Sequence, residues 1–169
     1  MTIRSKLSSL LVVPALAVLL LSSTSQTAVH VEPMDSVGPR PIEAQTRSSI
    51  IRDYLAAWQC LNQATLQNRP DLLDPYFVGQ ARQTLGETIQ AQQNLAIRTT
   101  YQDTSHNIRV VFYSPEGLSI ELLDDIEYDV DVHAGQQALG SSHVQTRYIA
   151  VLTPTESRWK IRVFQGGVS

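Results

Sequence analysis

Ile108-Arg109-Val110-Val111-Phe112-Tyr113-Ser114-Pro115-Glu116-Gly117 is the stretch that decides the fold. Ile108, Val110 and Phe112 alternate with Arg109, Val111 and Tyr113, the period of a strand, and Pro115-Glu116-Gly117 supplies a turn that sends the chain back. Outward toward the C-terminus, Leu118 to His133 carries the same alternation. A loop holding Gly135 and Gly140 leads to His143–Leu152, and Pro154-Thr155-Glu156-Ser157 turns the chain into Arg158–Gln165. Short turns make successive strands antiparallel neighbours. Outward toward the N-terminus, before Ile97, the period becomes helical. Ile51, Tyr54, Leu55, Trp58 and Leu61 share one face of a helix that begins near Ser48, with Ser48 or Thr46 as N-cap, and fades near Asn68 ahead of Pro70. Asp71 to Phe77 reads as a short helical turn, and a thinner helix runs from about Gly79 to Leu95. Helices followed by an uninterrupted meander predict an α+β fold, with the N-terminal helices packed on one face of a curved four-stranded antiparallel sheet.

A chain of 169 residues, 43% hydrophobic and 17% charged, suits one globular domain. A net charge of −3 without a basic stripe speaks against nucleic acid as a partner. No Gly-rich phosphate loop is present, so no nucleotide cofactor is expected, and none of another kind. Arg4 and Lys6 precede an apolar run from Leu7 to Leu21, and small residues follow to Ala28, which predicts an export signal over residues 1–28. A cut after Ser25 puts Ser23 at the third position back, whereas a cut after Ala28 puts Gln26 there. The alternative is an uncleaved anchor over residues 7–21, which Pro14 and the shortfall from the ~20 residues of a spanning helix disfavour. Either way the expected location is extracytoplasmic, secreted or periplasmic, with membrane contact only through that N-terminal segment. Residues 29–46, with Pro33, Gly38, Pro39 and Pro41, read as a linker to a single domain over residues 47–169. Cys60 is the only cysteine, which excludes an intrachain disulfide; mid-helix and without a basic neighbour, it reads as a small packed residue.

The region richest in charge is Asp125 to His133. Asp125, Glu127, Asp129, Asp131 and His133 share one strand face, and Ile126, Tyr128, Val130 and Val132 share the other. Carboxylates two apart on a strand are separated by ~6.6 Å, too far to wrap one cation without other segments, so no metal site is expected. Arg147, Arg158, Lys160 and Arg162 fall on the parity opposite Tyr148, Trp159 and Ile161. The acids therefore read as a solvated face that pairs with these bases across strands, and a docking surface for a basic protein is the alternative.

The opposite parity lists what faces the helices. Tyr54, Trp58, Phe112, Tyr128, Tyr148 and Trp159 are the expected lining, a composition that suits a core or a pocket for a hydrophobic small molecule. Asp124 is the one carboxylate on this parity. Held in an apolar pocket it would be a general base; a bulge or the strand's end turning it to water is the expected outcome. His106 lies among Asp103, Ser105 and Asn107 and reads as a surface histidine.

Tyr54-Leu55-Ala56-Ala57-Trp58, Asp71-Leu72-Leu73-Asp74-Pro75-Tyr76-Phe77 and Trp159-Lys160-Ile161 together resemble the nuclear transport factor two-like superfamily of cone-shaped α+β domains, over roughly residues 48 to 165. The resemblance is to helices-first, four-strand members more than to ketosteroid isomerases or polyketide cyclases. It implies a cone whose mouth often holds a small ligand, and homodimerisation through the outer sheet face is common among such domains. Catalytic branches place an acid or His in the pocket with Tyr or Asp partners, and Asp124 is the positional suggestion here. The expected function is an exported, non-catalytic binding or protein-interaction module. The alternative is an isomerase, cyclase or dehydratase using Asp124 as base, with Tyr128 or Tyr148 donating to an oxyanion.

Overall fold

A computed structural model describes residues 26–33 and 41–167. Residues 1–25 of the expected signal, with the anchor alternative over 7–21, and residues 34–40 of the Pro-rich linker lie outside the described residues. Among the described residues, no helix is long and apolar enough to cross a membrane.

Strand β1 (Ala28–Val31) comes first, then helix α1 (Ala44–Gln67), a 3-10 turn at Pro70–Leu73 and helix α2 (Gly79–Asn94). Strands β2 (Ile97–Tyr113), β3 (Ile120–Ala134), β4 (Gln137–Pro154) and β5 (Trp159–Gly166) follow. The sheet has five strands in the order β1-β2-β3-β4-β5, not the four expected. The added strand is β1, which pairs parallel to β2 from Ala28 opposite Ser105 to Val31 opposite Ile108. Four residues bounded by signal and prolines carry too short a pattern to be read as a strand. Helix α1 also starts earlier than its apolar stripe, at Ala44 rather than Ser48. The expected loop around Gly140 is strand: β3 and β4 meet in a tight hairpin at Gly135, whose φ of +60° suits a residue without a Cβ.

Helix α1 buries Ile50, Tyr54, Ala57, Trp58, Leu61 and Ala64 against the sheet, the three-four spacing of an amphipathic helix. Asn62 fastens it there, donating from Nδ2 to Tyr101 O at 2.7 Å and accepting Tyr101 N–H at Oδ1 at 2.9 Å. The helix stops at Asn68, which is left-handed at φ +52° and returns its N–H to the last turn. Tyr76, Phe77 and Val78 then lie beside β5: Val78 N–H donates to Ile161 O at 2.9 Å and Ile161 N–H to Tyr76 O at 2.8 Å.

Three register slips decide which side chains face the helices. In β2, Thr104 is extra between Asp103 and Ser105, and Val111 is extra between Val110 and Phe112. In β5, Arg162 is extra between Ile161 and Val163. A bulge inserts one residue and reverses the parity beyond it. Phe112 is therefore 40% exposed and pairs with outward-facing Glu121, while Tyr113 is buried in its place. This overturns Phe112 as a lining residue. The same slip in β5 turns Phe164 inward instead of Val163.

Candidate functional site

Between the helices and the sheet lies a cavity of about 180 Å³, lined by Trp58 and Leu61 of α1, Leu85 and Ile89 of α2, and Tyr101, Tyr148 and Phe164 of the sheet. Its aromatic wall is tightly built. The Tyr148 and Phe164 rings stack at 4.7 Å, and Trp58 meets them edge-on at 5.0 and 5.2 Å. Gly166 allows this arrangement: a Cβ there would stand 2.6 Å from Tyr148 Cζ, so the Tyr148 ring lies directly on the glycine backbone. Burial and a hydrogen bond to Tyr128 push the Tyr148 hydroxyl well above the ordinary tyrosine range, so it is a neutral donor.

The expected lining is only partly brought together. Trp58 and Tyr148 border the cavity. Tyr128 packs behind Trp58, with ring centroids 6.0 Å apart, and Tyr54 is sealed beneath at 0% exposure. Trp159 sits elsewhere, its backbone N–H held by the buried Asp53 carboxylate at 2.8 Å. Tyr101, Phe164, Leu85 and Ile89 are lining residues that strand alternation missed. The thin apolar stripe of α2 held the signal for two of them.

Asp124 is fully buried rather than turned to water. β3 has no slip near it, so it keeps inward parity, paired with Ile108 on one side and Tyr148 on the other. Its Oδ2 accepts from Tyr54 Oη at 2.9 Å and lies 2.6 Å from His106 Nδ1. His106 is likewise buried, at 2% exposure, which corrects its reading as a surface residue. His106 keeps the inward parity of Ile108, and the slip at Thr104 brings Asp103 round to it. Residues three apart on a regular strand face opposite sides, but the extra residue puts Asp103 and His106 on the same one. Asp103 Oδ2 then sits 3.6 Å from His106 Nε2. Burial pulls His106 down, but hydrogen bonding and charge from Asp103 and Asp124 outweigh it and push the imidazole up to about 9. Tyr54 is held far above the ordinary tyrosine range, first by burial and then by the Asp124 charge, with the Trp58 side chain offsetting part of this. The second carboxylate oxygen, Asp124 Oδ1, is buried without a hydrogen-bond partner. Neither Asp124 nor His106 lines the cavity.

On the outer face of β3, the Arg147 guanidinium grips Asp125 through two bonds of 2.6 and 2.9 Å and holds that carboxyl below its usual range. His143 lies 2.8 Å from both Glu127 and Asp129. Arg158, just before β5, and Lys160 and Arg162 within it do not reach this row. β5 pairs with β4 from Tyr148 to Pro154, whereas the acids pair with β4 from Arg147 back to Ser141. Arg158 lies over the Tyr76 ring instead, Lys160 donates to Asp74 O and Arg162 donates to Ser119 Oγ. Among the described residues, no group of His, Cys, Asp and Glu could hold a metal ion. Cys60 is half-buried and donates to Leu72 O; burial and then the Asp74 charge push its thiol up to about 11, leaving it a poor nucleophile.

No sequence-family model matches the chain, and no curated protein does. Solved structures match it by shape. The intermembrane space region of the chloroplast protein ARC6 superposes with a TM-score of 0.61 at 12% identity, over 77% of this chain and all of that one. A scytalone dehydratase-like protein from Novosphingobium aromaticivorans gives 0.54 at 12% identity, over 73% of this chain and 87% of that one. A protein of the NTF2-like family from Streptomyces avermitilis, described as a dehydratase, gives 0.50 at 7% identity, over 72% and 98%. The chain has the nuclear transport factor two-like fold.

Proposed function

We propose that this chain is an exported, non-catalytic binding module whose cone cavity takes one ring-sized apolar group, from a small molecule or from a partner's side chain. The carrying observation is the separation of cavity from chemistry: Trp58, Tyr101, Tyr148 and Phe164 border the space, while Asp124 and His106 do not. A volume of about 180 Å³ is below the roughly 300 Å³ at which drug-sized ligand pockets begin. It is close to the roughly 150 Å³ of an engineered apolar cavity that accommodates benzene. Thr65 and Thr88 stand at the wall, where one polar substituent of a phenol could be met.

Calorimetric titration with p-cresol and indole tests the reading. Measurable binding is expected for the wild type, with loss in Leu85→Trp, where the larger side chain fills the space. No binding to either probe, or binding unaffected by the filled cavity, would contradict it.

The alternative, an acid–base enzyme, is supported by one arrangement: a buried carboxylate hydrogen-bonded to both a tyrosine and a histidine. Two of the similar structures are dehydratases by description. For Asp124 to act, substrate would have to reach a carboxylate that is fully buried and already held by Tyr54 and His106. Turnover of a small-molecule substrate that disappears in Asp124→Asn would establish the enzyme.

A further inference from the structure

Strand β1 is short and largely exposed, yet it is fastened at both ends. At its far end Glu32 N–H donates to Ile108 O at 3.0 Å, and the Glu32 carboxylate meets Asn107 Nδ2 at 3.3 Å and Arg109 at 3.7 Å. At its near end Thr27 Oγ1 donates to Asp103 O at 2.9 Å. Gln26 and Thr27 line an open cleft of about 510 Å³ that also holds Asp103 and His106, with Leu55 and Gln59 of α1 along its side.

Asp124 lies behind the cleft's lining pair of Asp103 and His106, and with it counted the charges do not cancel. The His106 imidazolium stands between Asp103 and Asp124, so the three groups leave one negative charge over. The other lining side chains are uncharged. Asp103 is the member of the cluster that water reaches, its side chain 19% exposed against 1% for His106 and none for Asp124. A charge largely withdrawn from water is costly unless enough opposite charge meets it.

We propose that the signal is removed between Ser25 and Gln26, and that the α-ammonium so freed supplies that charge, lodged beside Asp103. Hydrolysis of that peptide bond leaves a carboxyl on Ser25 and an amine on Gln26, and an α-amine is protonated below about pH 8. Ser23 and Ser25 satisfy the small-residue rule for the cut. Cutting after Ala28 instead would remove the Thr27 bond to Asp103 and the first residue of β1. The inference is independent of what the cone cavity binds.

It has a chemical consequence. An N-terminal glutamine cyclises when its neutral amine attacks its own side-chain amide carbon, expelling ammonia and leaving pyroglutamate. An amine held as ammonium by Asp103 has no lone pair for the attack.

The test is to secrete the full chain from an exporting host and measure the N-terminal sequence and mass before and after storage at neutral pH. The wild type is expected to begin at uncyclised Gln26. Asp103→Asn should begin at the same residue and lose ammonia several-fold faster, and Asp103→Glu should restore the protection. A first residue other than Gln26, a retained signal, wild-type cyclisation as fast as in a free Gln-initiated peptide, or equal rates in all three proteins would overturn the proposal.

Discussion

Asp124 and Asp125 are adjacent on β3, and strand alternation sends them to opposite sides of the sheet. Asp124 is fully buried, shared by Tyr54 and His106; Asp125 is half in water, gripped by one arginine from the next strand. Each carboxylate has a positive partner at 2.6 Å. What differs is the medium. Removing one member of a buried pair strands the other charge in the interior, whereas water replaces a lost partner at the surface. The inward acid is part of the structure, and the outward acid is part of its solubility.

The largest expected effect follows from removing the inward acid. Asp124→Ala leaves the His106 imidazolium and the Tyr54 hydroxyl without their acceptor, and should cost ~3–5 kcal/mol in urea unfolding. A loss below ~1 kcal/mol would mean that the cluster is wetter than its burial implies.

His106 makes the same region pH-sensitive. Its imidazole is raised from 6.5 to about 9 on folding, so its stabilisation is complete below about 6.5 and lost as pH rises through about 9. Asp103, Asp124 and Tyr54 are the titratable groups that face it. Unfolding free energy should fall by ~3 kcal/mol across that window, and His106→Gln should flatten the profile. An unchanged slope in the variant would assign the pH dependence to other groups.

A smaller change is expected for Tyr54→Phe, which keeps the ring and deletes one donor to Asp124. The cost should be ~1–3 kcal/mol, measured by the same unfolding curves. The smallest belongs to the outer face: Arg147→Ala should leave the thermal midpoint within experimental scatter, and any difference should vanish in high salt. A large, salt-resistant loss there would erase the contrast between the two faces.

Much of this architecture is legible in the residues. The three-four spacing from Ile51 to Leu61 sets the face of α1, and the two-residue period from Ile108 onward sets the meander. The inward parity of Asp124 is legible because β3 runs through it without a slip, but its burial, against the expected turn to water, is not. The bulges at Thr104, Val111 and Arg162 were not readable. An inserted residue leaves local hydropathy almost unchanged while reversing every side chain beyond it. Phe112 reads as inward for that reason, whereas His106 reads as a surface residue because its neighbours Asp103, Ser105 and Asn107 are polar, although it shares the parity of Ile108. The bases of β5 raised a different problem: their parity was plain, but whether they stand beside the acids depends on strand register. β1 is hidden by its length and by the distance along the chain to its partner β2; the Thr27–Asp103 bond at its near end joins residues 76 positions apart.

The most direct test of the central claim is an NMR titration of the protein with p-cresol, followed at the Trp58 indole N–H, the Leu85 and Ile89 methyls and the His106 ring. The account predicts saturable shifts at Trp58, Leu85 and Ile89 with little change at His106. Shifts centred on His106, or none at any of these groups, would contradict a ring-sized binding cavity set apart from a sealed carboxylate.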